Sequence, residues 1–113
     1  MSRRRSGPQL ITIYWRDIPA QVNVKHGRDV AKHILAERFQ IAIDRAAMIS
    51  GLDGTDDYVQ QWRQEVRPAG ENPALEVVEA AAELEAAHPR VVLEAIVANG
   101  GLRGDHDKLA ADA

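Results

Sequence analysis

The stretch Gln9-Leu-Ile-Thr-Ile-Tyr-Trp-Arg-Asp-Ile-Pro-Ala-Gln-Val-Asn-Val-Lys25 decides the fold class. Its first part alternates with period two: Ile11, Ile13 and Trp15 point one way, and Thr12, Tyr14 and Arg16 the other. Asp17-Ile18-Pro19-Ala20 supplies turn chemistry, because Pro19 fixes φ and brings no N–H. A second alternation follows, with Ala20, Val22 and Val24 opposing Gln21, Asn23 and Lys25. Two alternating runs about a turn predict an antiparallel β-hairpin with one apolar face. Two strands alone are marginal in water, so a helix must cover that face.

Downstream the period changes to that of a helix. Ala31, Leu35, Phe39, Ala42, Ile43, Ala46 and Ile49 form one stripe, and Asp29 is placed to cap it. The helical pattern is firm from Glu37 to Met48. Val30 to Leu35 reads either as its first turns or as a short third strand. Ser50-Gly51 stops it. Thr55 caps a short helix with Asp56 and Asp57 in its first turn, and Tyr58, Val59 and Trp62 give that helix an apolar side up to Pro68. Asn72-Pro73 opens an Ala/Glu-rich helix to about Ala87, and Pro89 restarts a last one that stops at Asn99-Gly100-Gly101. The predicted fold is α+β: an N-terminal antiparallel β-hairpin packed on a long helix, followed by about three shorter helices. Residues 1–8 read as a flexible basic N-terminus, 9–100 as a single domain and 101–113 as a disordered tail.

Composition narrows the function classes. The 113 residues carry a net charge of −3, with 45% hydrophobic and 27% charged residues, which suits one folded domain. Eighteen residues are Ala against one Phe, two Tyr and two Trp, so the core is thin. No cysteine is present, which removes disulfides, thiol nucleophiles and sulfur-ligated metals. Met1-Ser-Arg-Arg-Arg-Ser-Gly-Pro8 begins like a secretory leader, but the apolar stretch does not follow, and no window suits a membrane span; the predicted address is cytoplasmic. Residues 1–67 sum to +3 and residues 68–113 to −6. Three arginines at the start would give a salt slope of only about −2.7, at about −0.9 per phosphate contact, so nucleic acid is a weak candidate partner.

Chemical motifs are scarce. His26, His33, His88 and His106 make no i, i+3 or i, i+4 pair, so no metal site is predicted. Asp53, Asp56 and Asp57 miss the calcium-loop spacing, and helix capping accounts for the last two. Glu76, Glu79 and Glu83 share one helix face, the usual pattern of a solvated surface. Neither phosphate-loop pattern occurs, so no cofactor is predicted. Arg103-Gly104-Asp105 spells an adhesion tripeptide by chance. The most distinctive group is Tyr14-Trp15-Arg16-Asp17 at the hairpin tip, echoed by Trp62-Arg63. Aromatic and charged groups together are the chemistry of a partner-binding patch. The competing explanation, which weighs more, makes both tryptophans core plugs with solvated arginines beside them.

The segments Ile13-Tyr-Trp-Arg-Asp-Ile-Pro-Ala-Gln-Val22, Glu37-Arg-Phe-Gln-Ile-Ala-Ile-Asp-Arg-Ala-Ala-Met48 and Gly54-Thr-Asp-Asp-Tyr-Val-Gln-Gln-Trp-Arg63 resemble the bacterial virulence factor domain family, named for conserved virulence factor C. The likeness spans about residues 9–100. That larger protein also carries helical repeats, and here the domain is expected to stand alone. Ala36 stands where the family pattern often has Ser or Pro. The resemblance implies no catalytic residues. It implies an accessory protein to folate- or corrinoid-linked methyl-transfer enzymes in one-carbon metabolism. The leading expectation is therefore a small interaction protein whose partner is another protein. The alternative is a weak nucleic-acid-binding regulator using Arg3, Arg4, Arg5, Arg28, Lys32, Arg38 and Arg45. An enzyme relying on Asp17, Asp44 or a histidine ranks last. The Ala-rich helices between Pro73 and Ala98 allow close approach, and with it a homodimer.

Overall fold

The computed structural model describes residues 7–103. The elements run β1 (Gln9–Trp15), β2 (Ile18–His26), β3 (Asp29–Ile34), α1 (Glu37–Ile49), α2 (Asp56–Gln60), β4 (Trp62–Pro68), α3 (Pro73–Ala87) and α4 (Arg90–Ala98). The fold is α+β, with a four-stranded antiparallel sheet in the order β3-β2-β1-β4. The hairpin of β1 and β2 forms its centre. Val30 to Ile34 belong to a strand, so Asp29 begins β3 instead of capping a helix. Trp62 to Pro68 also form a strand, where the sequence suggested helix. Tyr58 and Val59 do lie in α2, capped by Thr55, whose Oγ1 accepts from the Tyr58 N–H at 3.3 Å. That helix ends at Gln60. Beyond it Arg63, Glu65 and Arg67 alternate with Gln64 and Val66, a period-two pattern that pairs along β1.

β1 is buried on both faces, with Ile11 and Trp15 on the face expected to be inward and Leu10 and Thr12 on the one expected to be outward. Leu10 pairs with Val24 and Thr12 with Val22, so these four share the face that the helices cover. Ile11 and Ile13 sit opposite Asn23 and Gln21 on the other face. The register shifts between Ile13 and Tyr14, where Pro19 stands opposite Tyr14. Proline is tolerated at such a bulge because it has no ladder N–H to give. The turn itself is Arg16-Asp17, earlier than the Pro19 signal placed it, with Ile18 and Pro19 already in β2.

The helical layer also differs from a hairpin on one long helix. α3, at 15 residues the longest, lies across β2 and β3, while α1 packs chiefly on α4. Asn72 caps α3, its Oδ1 accepting from Leu75 N–H at 3.3 Å, with Pro73 in the first turn. α1 starts after Ala36 without a side-chain cap; instead the Ala36 N–H donates to Glu85 Oε2 of α3 at 2.9 Å. One core joins Leu10, Trp15, Ile18, Val22 and Val24 of the sheet to Phe39 and Ile43 of α1, Val77 and Ala81 of α3, and Leu93, Ile96 and Val97 of α4. The opposite sheet face carries exposed Val30, Ile34 and Val66. Among the described residues no helix is long and apolar enough to cross a membrane.

Candidate functional site

The hairpin tip is a junction, not a free end. Arg16 holds φ at 54°, a left-handed value that a side chain makes costly. Its surroundings fix it there. The Arg16 N–H donates to Gln61 O at 3.1 Å, Nε to Gln61 Oε1 at 3.2 Å and Nη1 to Gly100 O at 3.0 Å. The next N–H, of Asp17, donates to Gly101 O at 2.9 Å. Gly101 has to be glycine: its φ is 96°, and a Cβ there would stand 3.0 Å from Trp15 Cζ3. Trp15 is fully buried, its Nε1–H donating to Tyr58 O at 2.9 Å and its ring 5.4 Å from that of Tyr58. Gly101 to Arg103, expected in the tail, are thus bonded into the domain.

Beside this junction lies a mixed-charge cavity of about 270 Å³, lined by Tyr14, Asp17, Arg63, Glu65, His88 and Arg103. Arg63 organises one wall. Its Nε donates to Arg16 O at 2.7 Å, Nη2 to Asp17 Oδ1 at 3.1 Å and Nη1 to Glu65 Oε2 at 2.6 Å. The guanidinium also stands 4.3 Å from the centre of the Tyr14 ring, within cation–π range. Asp17 spans the mouth, since its Oδ2 accepts from the Arg103 N–H at 2.8 Å. Burial and the Glu65 charge push the Tyr14 phenol above its ordinary value of 10.0, against the pull of Arg63, so Tyr14 keeps its proton.

His88 forms the floor. The Leu84 carbonyl, 2.8 Å away, can only accept, which puts the proton on Nδ1 and leaves the Nε2 lone pair to receive Arg103 Nη1 at 3.1 Å. Burial, with Arg103 and Arg38 nearby, holds the ring pKa below its ordinary value of 6.5, so it is neutral at pH 7. Phe39 packs edge-on against it at 5.8 Å, and Arg38 donates to the His88 and Glu85 carbonyls at 3.2 and 2.8 Å.

Through Tyr14 and Glu65 the cavity continues into a groove of about 350 Å³ between α3 and the β1–β4 half of the sheet. Leu10, Thr12, Ala80, Leu84 and Ala87 line it, with Arg67 and Glu83 among its charges. The groove exists because α3 covers β2 and β3 and leaves β1 and β4 uncovered.

Of the residues singled out in the sequence, Tyr14, Asp17 and Arg63 meet at this cavity. Trp15 lies inside the core and Arg16 is spent on the junction, so neither offers a recognition surface. Trp62 is half-buried on the other sheet face, its ring edge-on to Tyr58 at 6.3 Å. Glu65, His88 and Arg103 were missed. Of the basic residues suggested for nucleic acid, Arg38 is used by carbonyls and Arg45 by Glu94 at 2.8 Å, while Arg3, Arg4 and Arg5 lie outside the described residues. Asp44 is exposed on α1 and accepts from Gln40, away from the cavity. Among the described residues no three acidic or histidine side chains converge as a metal site.

The family model described as virulence factor matches residues 13–97, which takes in Tyr14, Asp17, Arg63, Glu65 and His88. No curated protein and no solved structure matches the chain. With more than half its length matched, and with the α+β fold above, the chain belongs to the virulence factor domain family.

Proposed function

We propose that this chain is a small cytoplasmic interaction protein, and that the cavity and groove beside β1 and β4 receive a segment of a protein partner. The observation that carries this reading is the union of a mixed-charge pocket with an apolar-walled groove. Arg63 and Arg103 are balanced there by Asp17 and Glu65. A balanced site suits a polar protein segment better than a polyanion, for which an excess of cations would be needed. The Tyr14 hydroxyl stands at the join of pocket and groove, where a partly buried phenol can both donate and accept. The narrower reading, an accessory subunit of a folate- or corrinoid-linked methyl-transfer enzyme, draws on the family resemblance alone.

The test is an affinity purification from the native host at low salt, with partners identified by mass spectrometry. The captured enzyme is then purified and titrated calorimetrically against the wild-type chain and Tyr14→Ala/Glu65→Ala. The proposal expects a folate- or corrinoid-dependent enzyme in stoichiometric amount. It also expects at least about tenfold weaker binding by the double variant at an unchanged melting midpoint. Binding that ignores both substitutions would remove the site from the proposal. A clean preparation with no partner would remove the accessory role.

A further inference from the structure

β4 is the last strand of the sheet, and two backbone bonds establish which of its groups face outward. The Arg16 N–H donates to Gln61 O and the Ala69 N–H to Pro8 O, both at 3.1 Å. Both pairs continue the register that sets Trp15 against Trp62 and Gln9 against Pro68. Bonded pairs in an antiparallel ladder recur at every second residue. Arg63, Glu65 and Arg67 therefore turn their N–H and C=O groups to β1, whereas Trp62, Gln64 and Val66 turn theirs away from the sheet. No described strand receives them. Apart from Trp62, every residue of β4 is exposed.

We infer that this edge pairs with the same edge of a second copy of the chain, antiparallel about a two-fold axis at Gln64. Charge complementarity selects that occupant and that register. With the axis at Gln64, Arg63 of each copy stands opposite Glu65 of the other, and Trp62 stands opposite Val66. Trp62, Gln64 and Val66 become the bonded positions, each pair exchanging two backbone hydrogen bonds. Moving the axis to Glu65 sets Glu65 against itself and Arg63 against Arg67, which like charges forbid. Moving it to Val66 sets Pro68, which has no N–H, against Gln64. Charged residues ordinarily keep an edge strand from pairing. Here the alternation of sign on one face makes a single self-pairing attractive. On the other face, Val66 is 54% exposed and gains cover from an aromatic partner. A contact this short falls at the small end of interface sizes, below about 1,200 Å², so the dimer is reversible.

Sedimentation equilibrium of the full chain up to about 1 mM tests for the dimer. The expected result is a concentration-dependent rise toward twice the monomer mass. Glu65→Arg turns both cross-copy attractions into repulsions and should weaken it about tenfold or more. Gln64→Pro deletes an outward N–H at no cost to the β1 ladder and should abolish the dimer at an unchanged far-UV spectrum. Should Gln64→Pro fail to fold, the exposed Glu65→Arg carries the same test. Because the chain has no cysteine, Gln64→Cys gives a second readout. At the axis its own copy lies about 5.5 Å away between Cα atoms, inside disulfide range. Under mild oxidation it should cross-link at least about tenfold faster than Met48→Cys, which is also exposed but lies on α1. A chain monomeric throughout, a dimer untouched by Glu65→Arg, or equal cross-linking of the two cysteine variants would each overturn the inference.

Discussion

The hairpin tip and the neighbouring strand β4 carry the same kinds of residue and use them in opposite ways. Trp15-Arg16 at the tip is turned inward: the indole is fully buried and the guanidinium is consumed by the Gln61 and Gly100 carbonyl groups. Trp62-Arg63 at the start of β4 is turned outward, with Trp62 half-buried and the Arg63 side chain 40% exposed. What separates the two pairs is position in the sheet. The tip is met from three sides, by Gln61, by the Gly100-Gly101 turn and by α1, whereas among the described strands β4 pairs only with β1. Aromatic–arginine pairs therefore announce recognition only where the sheet leaves them an open side.

The largest effect that sharpens this contrast is on the two tryptophans. Trp15→Ala opens a cavity in a core short of aromatics and should cost about 3–5 kcal/mol, much of the stability of a domain this size. Trp62→Ala removes a half-buried ring and should cost about 1 kcal/mol. Urea denaturation of both variants measures the difference, and similar losses would show that β4 is as deeply anchored as the tip. Next comes Gly101→Ala. It combines a strained φ with a contact on Trp15, and should lower stability by about 1–3 kcal/mol. A neutral result would mean that the Gly100-Gly101 turn does not hold the tip.

How far the sequence revealed these two regions follows from the range of the forces involved. Caps and breakers act locally, so Thr55, Asn72-Pro73 and Asn99-Gly100-Gly101 were legible and fall where predicted. The alternation in β1 was legible too, and Ile11 and Trp15 are buried as it implies, but the burial of Leu10 and Thr12 on the other face was not legible, because it is set by cross-strand register and by α3. Thr12 is buried while Ile13 is only half-buried. β4 was hidden by Tyr58, Val59 and Trp62, whose spacing imitates a helix face. The Arg63, Glu65, Arg67 alternation was the signal that could have revealed it. At the site, Tyr14, Asp17 and Arg63 could be read from one short motif and its echo. His88 and Arg103 could not, since they reach the cavity from a helix end and from a segment that reads as tail, both far away in the chain.

A smaller effect concerns Arg63 and the ring beneath it. Arg63→Ala removes the cation over Tyr14 and three hydrogen bonds, but the side chain is 40% exposed, so the stability loss should be only about 1 kcal/mol. The more telling readout is spectroscopic. Arg63 pulls the Tyr14 phenol down against burial and Glu65, so its removal should raise the Tyr14 titration further above 10.0. An absorbance titration in which Tyr14 falls instead would show that the charge of Glu65 no longer reaches the ring once Arg63 is gone.

The smallest effect is a pH slope that separates the cavity floor from the exposed strand above it. His88 is held neutral by burial first, and by the Arg103 and Arg38 charges, with the Leu84 carbonyl working the other way. Its native pKa lies below the 6.5 of the unfolded chain, so between those two values the unfolded state binds more protons. The stability this contributes is complete above about pH 6.5 and is lost as pH falls through the lowered native value. Protonation would also fill the Nε2 lone pair that receives Arg103 Nη1, leaving two donors face to face across 3.1 Å. Thermal melts of the wild-type chain and His88→Gln between pH 8 and pH 5 isolate this contribution, because the two chains differ in no other titrating group. The wild-type midpoint should drop on acidification and that of His88→Gln should stay nearly level. Parallel curves would mean that the floor of the cavity is as open to protons as its rim, and that the contrast between the tied tip and the open strand does not extend beneath them.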